Sequence, residues 1–314
     1  MRYQTFGKTG LELSQITLGT WGIGGAGWDT YSDEERLDAI AAAIDCGINF
    51  IDTAPAYNAG ASERYVGRAL SELGVRNKVY ISTKCGNEFI GGKYVRNGKK
   101  EAILRQCEES LTNLRTDHID VYLIHWPDPA VPFEETMEAL NELKAAGKIL
   151  HVGVSNFSKE QIEAVSQYCD IEVFQPHYSM VFRGQEQLIR WAHEQGLGIM
   201  AYGSLGGGIL TGRYRQVQTY EAMDSRNRFY QFFKEPQFSE VMKLLAEMDR
   251  FAEEKKVGLS EIALNWTAQK PYIDTCIMGA QTRDKVERNA LAMNWQLTEE
   301  EIASFDRVLA GLKL

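Results

Sequence analysis

Eight short apolar runs, nearly all followed by a helix-patterned stretch, constrain this chain more than any other feature. They are Ile16–Leu18, Ile48–Ile51, VYIST at 79–83, DVYLI at 120–124, LHVGV at 150–154, EVFQ at 172–175, GIMAY at 198–202 and DTCIM at 274–278. Runs this short, rich in Val, Ile and aromatic residues, read as buried strands of a parallel sheet. The stretches between them read as helices. Ser32-Asp-Glu-Glu35 is a capping box, and the helix it opens carries Leu37, Ile40, Ala41 and Ile44 on one face before stopping near Gly47. Residues 103–114, with Ile103, Cys107, Leu111 and Leu114 in helical register, repeat the pattern, as do 134–146 and 184–195. A longer gap after Tyr202 holds a Gly-rich, aromatic loop over 203–236 and helical stretches at 237–256 and 260–269. No Pro/Ser-rich linker divides the chain. Residues 1–314 therefore read as one α/β domain, a closed (β/α)8 TIM barrel with extra C-terminal helices. RYQTF and LELSQ, around a Gly7–Gly10 turn, read as an N-terminal β-hairpin that plugs the bottom of the barrel.

One motif argues for a different fold. Gly22-Ile-Gly24-Gly-Ala-Gly27 is a G-x-G-x-x-G after an apolar run, and INFIDT ends at an acid, Asp52, at about the right distance. In the open-sheet dinucleotide fold the last glycine lies within the first helical turn, so the pyrophosphate meets the helix N-terminus. Here the capping box begins at Ser32, five residues past Gly27, with Trp28 and Tyr31 between. GIGGAG reads instead as a βα loop over the top of the barrel.

The net charge of −9 argues against a nucleic-acid partner, because neutralising phosphates needs clustered basic residues. Lys93–Lys100, KYVRNGKK, is the one compact basic stretch, and it reads as a solvated loop. Cys46, Cys85, Cys107, Cys169 and Cys276 are scattered and odd in number, as expected of reduced cytosolic thiols. The N-terminus lacks the apolar core of a signal peptide, and no apolar run approaches the ~20 residues of a membrane span. A cytoplasmic protein without a membrane partner is expected.

In a barrel, chemistry sits at the C-terminal ends of the strands. Those ends carry Thr20-Trp21, Asp52 with Tyr57 in its loop, Lys84, His125, Ser155-Asn156, Gln175, Tyr202-Gly203-Ser204 and Gly279-Ala280. Each has a plain structural reading alone: Asp52 as a turn cap, Tyr57 as a rim aromatic, Lys84 as a surface lysine, His125 as a satisfied buried group. On one rim they are also the parts of one mechanism. A Tyr hydroxyl donates a proton readily if a nearby Lys⁺ stabilises its phenolate, and an Asp fixes that Lys.

Here the chain resembles the aldo-keto reductases over nearly its whole length. DTAPAY, ISTK and LIHW resemble the segments of that family's Asp/Tyr/Lys/His tetrad. VGVSNFS and FQPHYS resemble its nicotinamide-carboxamide segments, and IMGAQTRDKVERN its adenosine 2′-phosphate segment. AYGSLGGGILTGRY is most similar to the bacterial branch near the potassium-channel β-subunits. The resemblance implies hydride transfer between NADP(H) and a small aldehyde, ketone or sugar. Tyr57 is implied as general acid/base, Lys84 as the group that lowers its pKa, Asp52 as the partner of Lys84, and His125 as the residue orienting the carbonyl. Ser155, Asn156 and Gln175 would hold the carboxamide, Tyr202 would stack on the ring, and the backbone from Gly203 to Gly208 would wrap the pyrophosphate. Gly19, Thr20, Trp21, Asp52, Ser204, Leu205, Gly279, Gln281, Arg283, Lys285, Arg288 and Asn289 complete the implied cofactor contacts. Trp21, Trp28, Tyr57, His125 and Trp126 would wall the substrate pocket. No metal is expected, because the cofactor is the reactive group.

The adenosine end departs from the pattern. Many relatives place Lys or Arg where Gln281 stands, and Glu where Arg288 precedes Asn289; Gly203 also replaces a commoner Ser. Arg283 and Lys285 favour NADP(H), and Gln281 keeps NAD(H) open. Two other classes stay in view: a cofactor-sensing binding protein similar to channel β-subunits, and a Schiff-base lyase with Lys84 as nucleophile. The loop 206–236, with Tyr214, Tyr220, Phe229, Tyr230, Phe232, Phe233, Arg213, Arg226 and Arg228, reads either as a lid or as a subunit contact, so a homo-oligomer is left open.

Overall fold

The computed structural model describes residues 1–90 and 93–314. Tyr3–Thr5 (β1) and Glu12–Ser14 (β2) pair antiparallel, with Gln4 opposite Leu13. The barrel strands follow: Ile16–Gly19 (β3), Phe50–Asp52 (β4) and Tyr80–Cys85 (β5). An excursion, Asn87–Ile90 (β6) and Lys93–Arg96 (β7), comes next. Then come Ile119–Ile124 (β8), Ile149–Ser155 (β9), Val173–Gln175 (β10), Gly198–Ala201 (β11) and Thr275–Gly279 (β12). The barrel is closed and wholly parallel, running β3-β4-β5-β8-β9-β10-β11-β12 and back to β3. The eight expected strands are these eight.

The two-residue period of a strand sorts the barrel into an inside and an outside. Phe50, Val121, Leu123, Val173, Met200 and Ile277 form one buried cluster inside. Their chain neighbours Ile51, Tyr122, Ile124, Phe174, Ile199, Cys276 and Met278 belong to a second cluster beneath the helices. The hairpin completes the inner cluster from below with Phe6 and Leu13, both fully buried. Phe6 packs edge-on to Phe50 at 5.9 Å, and a Cβ on Gly198 would stand 2.6 Å from the Phe6 ring. The plug is therefore a built seal, and the barrel opens at the C-terminal ends of its strands.

The helices start where the sequence signals them. Ser32 caps Asp33–Asp45 with a reciprocal bond pair to Glu35, and Ser158 and Thr298 do the same for Lys159–Val165 and Glu299–Ala310. GIGGAG forms one helical turn, Trp21–Gly24, and then a loop; it opens no long helix. At Gly27 φ is +75°, and a Cβ there would meet Ser225 Oγ at 2.8 Å. Ser225 N–H donates to Gly27 C=O at 2.9 Å, so the long segment after β11 crosses the mouth and is stitched to the first βα loop. Short helical turns at Gly206–Thr211, Ser225–Arg228 and Gln231–Phe233 shape it before the long helix Gln237–Lys255.

Lys93–Lys100 differs from its sequence reading. Lys93–Arg96 is a strand pairing with β6, with Phe89 opposite Tyr94 and Asn87 opposite Arg96, and Lys100 begins the helix Lys100–Leu114. The density of charge hides a short exposed strand whose two faces each carry one apolar and one basic residue, Tyr94 with Arg96 and Val95 with Lys93. Among the described residues no helix is long and apolar enough to cross a membrane.

Removing the seal tests its weight. Phe6→Ala leaves a void between the hairpin and Phe50, and such a truncation costs about 3–5 kcal/mol. A fall in urea midpoint at unchanged m-value is the expected result.

Candidate active site

The open end of the barrel is lined by the inward-facing residues one step above the apolar layer. Asp52 stands two residues after Phe50, Gln175 two after Val173, and Lys84 two after Ser82. Lys84 Nζ donates to Asp52 Oδ1 at 2.9 Å, Asp52 Oδ2 at 2.8 Å and the Thr53 carbonyl at 2.9 Å. Ser82 Oγ and Gln175 Nε2 each donate to Asp52 Oδ1 at 2.8 Å. The pair is almost fully buried. The sequence did not mark Ser82, though its signal was there: it shares the inward face with Lys84.

Tyr57 enters from the loop after β4. Its N–H closes a turn on the Ala54 carbonyl at 3.0 Å, and Asn58 Nδ2 ties the loop to Gly24 C=O at 2.8 Å. Tyr57 OH stands 3.1 Å from Lys84 Nζ, the ammonium lying 4.9 Å from the ring centroid. The His125 ring meets Tyr57 edge-on at 6.1 Å. The structure thus brings Asp52, Tyr57, Lys84 and His125 together at one point.

Burial sets the protonation states. Burial, with the Asp52 charge behind it, pushes the Tyr57 phenol well above its ordinary pKa, and Lys84 does not reverse this. Burial draws Lys84 down from its ordinary value, opposed by the charge and hydrogen bonds of Asp52. Burial, with the Lys84 charge, holds His125 well below the usual histidine range. Near neutral pH the cluster therefore presents a protonated phenol and a neutral imidazole.

A cavity of about 1440 Å³ opens above the cluster. Its wall contains Gly19, Thr20, Trp21, Trp28, Trp126, Ser155, Asn156, Gln175, Tyr202, Gly203, Ser204 and Leu205. Gly279, Gln281, Lys285, Arg288 and Asn289 line it further on. Ser155 Oγ donates to the Gln175 carbonyl at 2.8 Å. Asn156, at φ +61°, donates to the His125 carbonyl at 2.9 Å and accepts Tyr202 OH at 2.9 Å. Tyr202 stacks on His177 at 4.8 Å. That buried ring has no partner for its Nε2 among the described residues, and burial lowers its pKa to about 4. Trp21 stacks on Tyr57 at 6.0 Å and meets Trp28 edge-on at 5.2 Å.

The basic residues of the far end separate. Lys285 Nζ donates to Tyr31 OH at 2.5 Å and to Gln281 Oε1 at 2.9 Å. Arg288 pairs with Asp284 and stays exposed on the cavity wall. Arg283 does not line the cavity; its guanidinium is held by Asp38 at 2.7 Å, Asp45 at 3.2 Å and Glu287 at 3.2 Å. Charge and position along the chain do not distinguish Arg283 from Lys285. The acidic face of the helix Asp33–Asp45, packed alongside, captures the first and leaves the second on the cavity.

Sealed below, and open above onto a buried Lys–Asp pair with a tyrosine and a histidine, the barrel has the build of an oxidoreductase. The model of the Aldo/keto reductase family matches residues 15–310, and the chain belongs to that family. It is 37% identical to aldo-keto reductase YhdN of Bacillus subtilis, over 98% of this chain and 94% of that one. It is 32% identical to an NADH-specific methylglyoxal reductase of Escherichia coli, over 96% of each. The solved glycerol dehydrogenase of Gluconobacter oxydans superposes with a TM-score of 0.89 at 33% identity, covering 100% of this chain and 95% of that one.

Two measurements check the site's electrostatics. In ligand-free protein the His125 imidazole resonances stay in the neutral form between about pH 6 and 8, read by NMR against His125→Asn. Lys84→Met leaves Asp52 buried without its counter-charge and lowers stability by about 3–5 kcal/mol in chemical denaturation.

Proposed function

We propose that this protein reduces the carbonyl group of small aldehydes, ketones or sugars with NADP(H), with Tyr57 as the proton donor. One observation carries the reading: Lys84 Nζ reaches both Asp52 oxygens and the Tyr57 hydroxyl at the floor of a large open cavity.

The residues present fit a dinucleotide. The cavity extends from the Tyr57 cluster to Arg288 and Asn289, and a Cβ on Gly279 would project into open space within it. When bound, the reduced nicotinamide supplies hydride to the carbonyl carbon. Negative charge then builds on the carbonyl oxygen, where Tyr57 OH and a His125 N–H act as preorganised donors. Tyr57 gives up its proton to that oxygen, and the adjacent Lys84 ammonium stabilises the phenolate left behind. Asp52 keeps Lys84 charged and aimed. Asn156, Gln175 and Ser155 would hold the carboxamide. The Tyr202 ring, backed by His177, offers a flat face to the nicotinamide. The backbone from Gly203 to Gly208 would hold the pyrophosphate, and Lys285 and Arg288 would supply the charge for a 2′-phosphate. Trp21 and Trp28 of the first βα loop, with Trp126 just after β8, would wall the substrate side.

A second reading differs only at the adenosine end. Lys285 is already engaged by Tyr31 and Gln281, and Arg283 is turned to Asp38; both facts favour NAD(H). The relative that is an NADH-specific methylglyoxal reductase supports the same alternative.

Titrating NADPH and NADH against the protein, by tryptophan fluorescence, separates the two. Tighter NADPH supports the main reading, and NADH alone supports the second. Tyr57→Phe is expected to keep cofactor affinity and lose about 10²–10⁴-fold in kcat for carbonyl reduction. Undiminished turnover in that variant overturns the role of Tyr57, and failure to bind either nucleotide overturns the function.

A further inference from the structure

Phe89, Tyr94, Met223 and Phe229 are 55%, 47%, 66% and 41% exposed, yet all four line the same cavity. They come from two segments with no sequence relation to each other, the β6–β7 hairpin and the segment that crosses the mouth after β11. Scattered exposed apolar residues need no explanation, but a group gathered at one opening does.

The hairpin's register shows that the gathering is built. Asn87, Phe89, Tyr94 and Arg96 share one face by pairing and alternation. Asn87, Phe89 and Tyr94 line the cavity, and the Arg96 guanidinium lies 5.5 Å from the ring centroid of Trp126, also on its wall. Phe89 and Tyr94 touch ring to ring at 4.9 Å. The opposite face carries Glu88, Ile90, Lys93 and Val95, none of which lines the cavity. Tyr94 OH accepts the Ala59 N–H at 3.3 Å, fastening the hairpin to the loop that bears Tyr57. On the other side Phe229 meets Trp21 edge-on at 5.6 Å, and Trp21 stacks on Tyr57. A continuous aromatic path therefore runs from the collar to the phenol.

We infer that this collar is a binding subsite for an apolar, preferentially aromatic substituent of the carbonyl substrate. The inference rests on the carbonyl-reductase reading and adds to it a substrate class: aldehydes or ketones whose carbonyl reaches Tyr57 while a hydrophobic tail lies between Phe89 and Tyr94 on one side and Met223 and Phe229 on the other. Apolar walls facing water in the free enzyme are covered by such a tail, and the area removed from water favours binding.

The test compares 3-phenylpropanal with propanal, two unconjugated aldehydes that differ by one ring. The readout is the ratio of their kcat/KM values. The wild-type ratio is expected to favour the phenyl substrate by about tenfold or more. Phe89→Ser and Met223→Ser each lower that ratio by about three- to tenfold, the scale of one lost ring contact. Ile90→Ser, on the hairpin's solvent face, leaves it unchanged. A wild-type ratio near one, or a ratio unmoved by Phe89→Ser and Met223→Ser, overturns the subsite. So does a change in sedimentation mass of those variants with the ratio intact, which would make the collar a contact between copies. If wild-type protein reduces neither aldehyde with either nucleotide, the reductase reading fails separately. The collar is then read by saturation-transfer NMR with 3-phenylpropanol: binding lost in Phe89→Ser upholds it, and no binding to wild type overturns it.

Discussion

The buried pair of Lys84 and Asp52 is the interaction on which the site depends. An ammonium and a carboxylate withdrawn from water cost several kcal/mol each unless geometry and further hydrogen bonds compensate. Here they do: Asp52 takes the lysine on both oxygens and also Ser82 and Gln175, while Lys84 also reaches the Thr53 carbonyl. Lys84 and Asp52 meet across the adjacent strands β5 and β4, and Gln175 from β10 completes the set of partners only when the barrel has closed. Lys84 also reaches Tyr57, and that last contact ties the loop tyrosine at the cavity floor to the ion pair.

The barrel interior is graded to keep this arrangement in place. Its lower layers are Phe6, Leu13, Phe50, Val121, Leu123, Val173, Met200 and Ile277, with no charged group among them. One strand step higher the inward positions become Asp52, Lys84 and Gln175. The hairpin seal keeps water from reaching the pair from below, and burial at the floor of the cavity raises Tyr57 and lowers His125. The same low-dielectric floor that makes an unpaired charge costly also strengthens the field at the open end, where a carbonyl oxygen would gain charge.

Much of this is legible in the chain. The strands, the plug and the capped helices follow from local periodicity and from capping residues such as Ser32. Asp52, Lys84 and His125 stand at strand ends, and a strand end in a barrel is a position that can be counted. The β6–β7 hairpin is not legible, because Lys93–Arg96 is a strand stabilised by Phe89–Tyr94 contact and by its place over the mouth rather than by a buried face. The fate of the three basic residues Arg283, Lys285 and Arg288 is equally hidden. Arg283 and Lys285 are two positions apart on one helix, so a rotation of about 200° about its axis sends one to Asp38 and the other to Tyr31.

The amino-acid pattern alone set the order of strands and helices, the number of strands available to close one barrel, and the four polar residues at its mouth. Periodicity and capping act over a few residues and survive without any distant partner. Which groups meet was settled by the folded chain: Ser82 and Gln175 on Asp52, Tyr31 on Lys285, His177 behind Tyr202, and the collar of Phe89, Tyr94, Met223 and Phe229. Those contacts join segments up to 254 residues apart, and their geometry is set by barrel closure and loop packing, which no local pattern encodes.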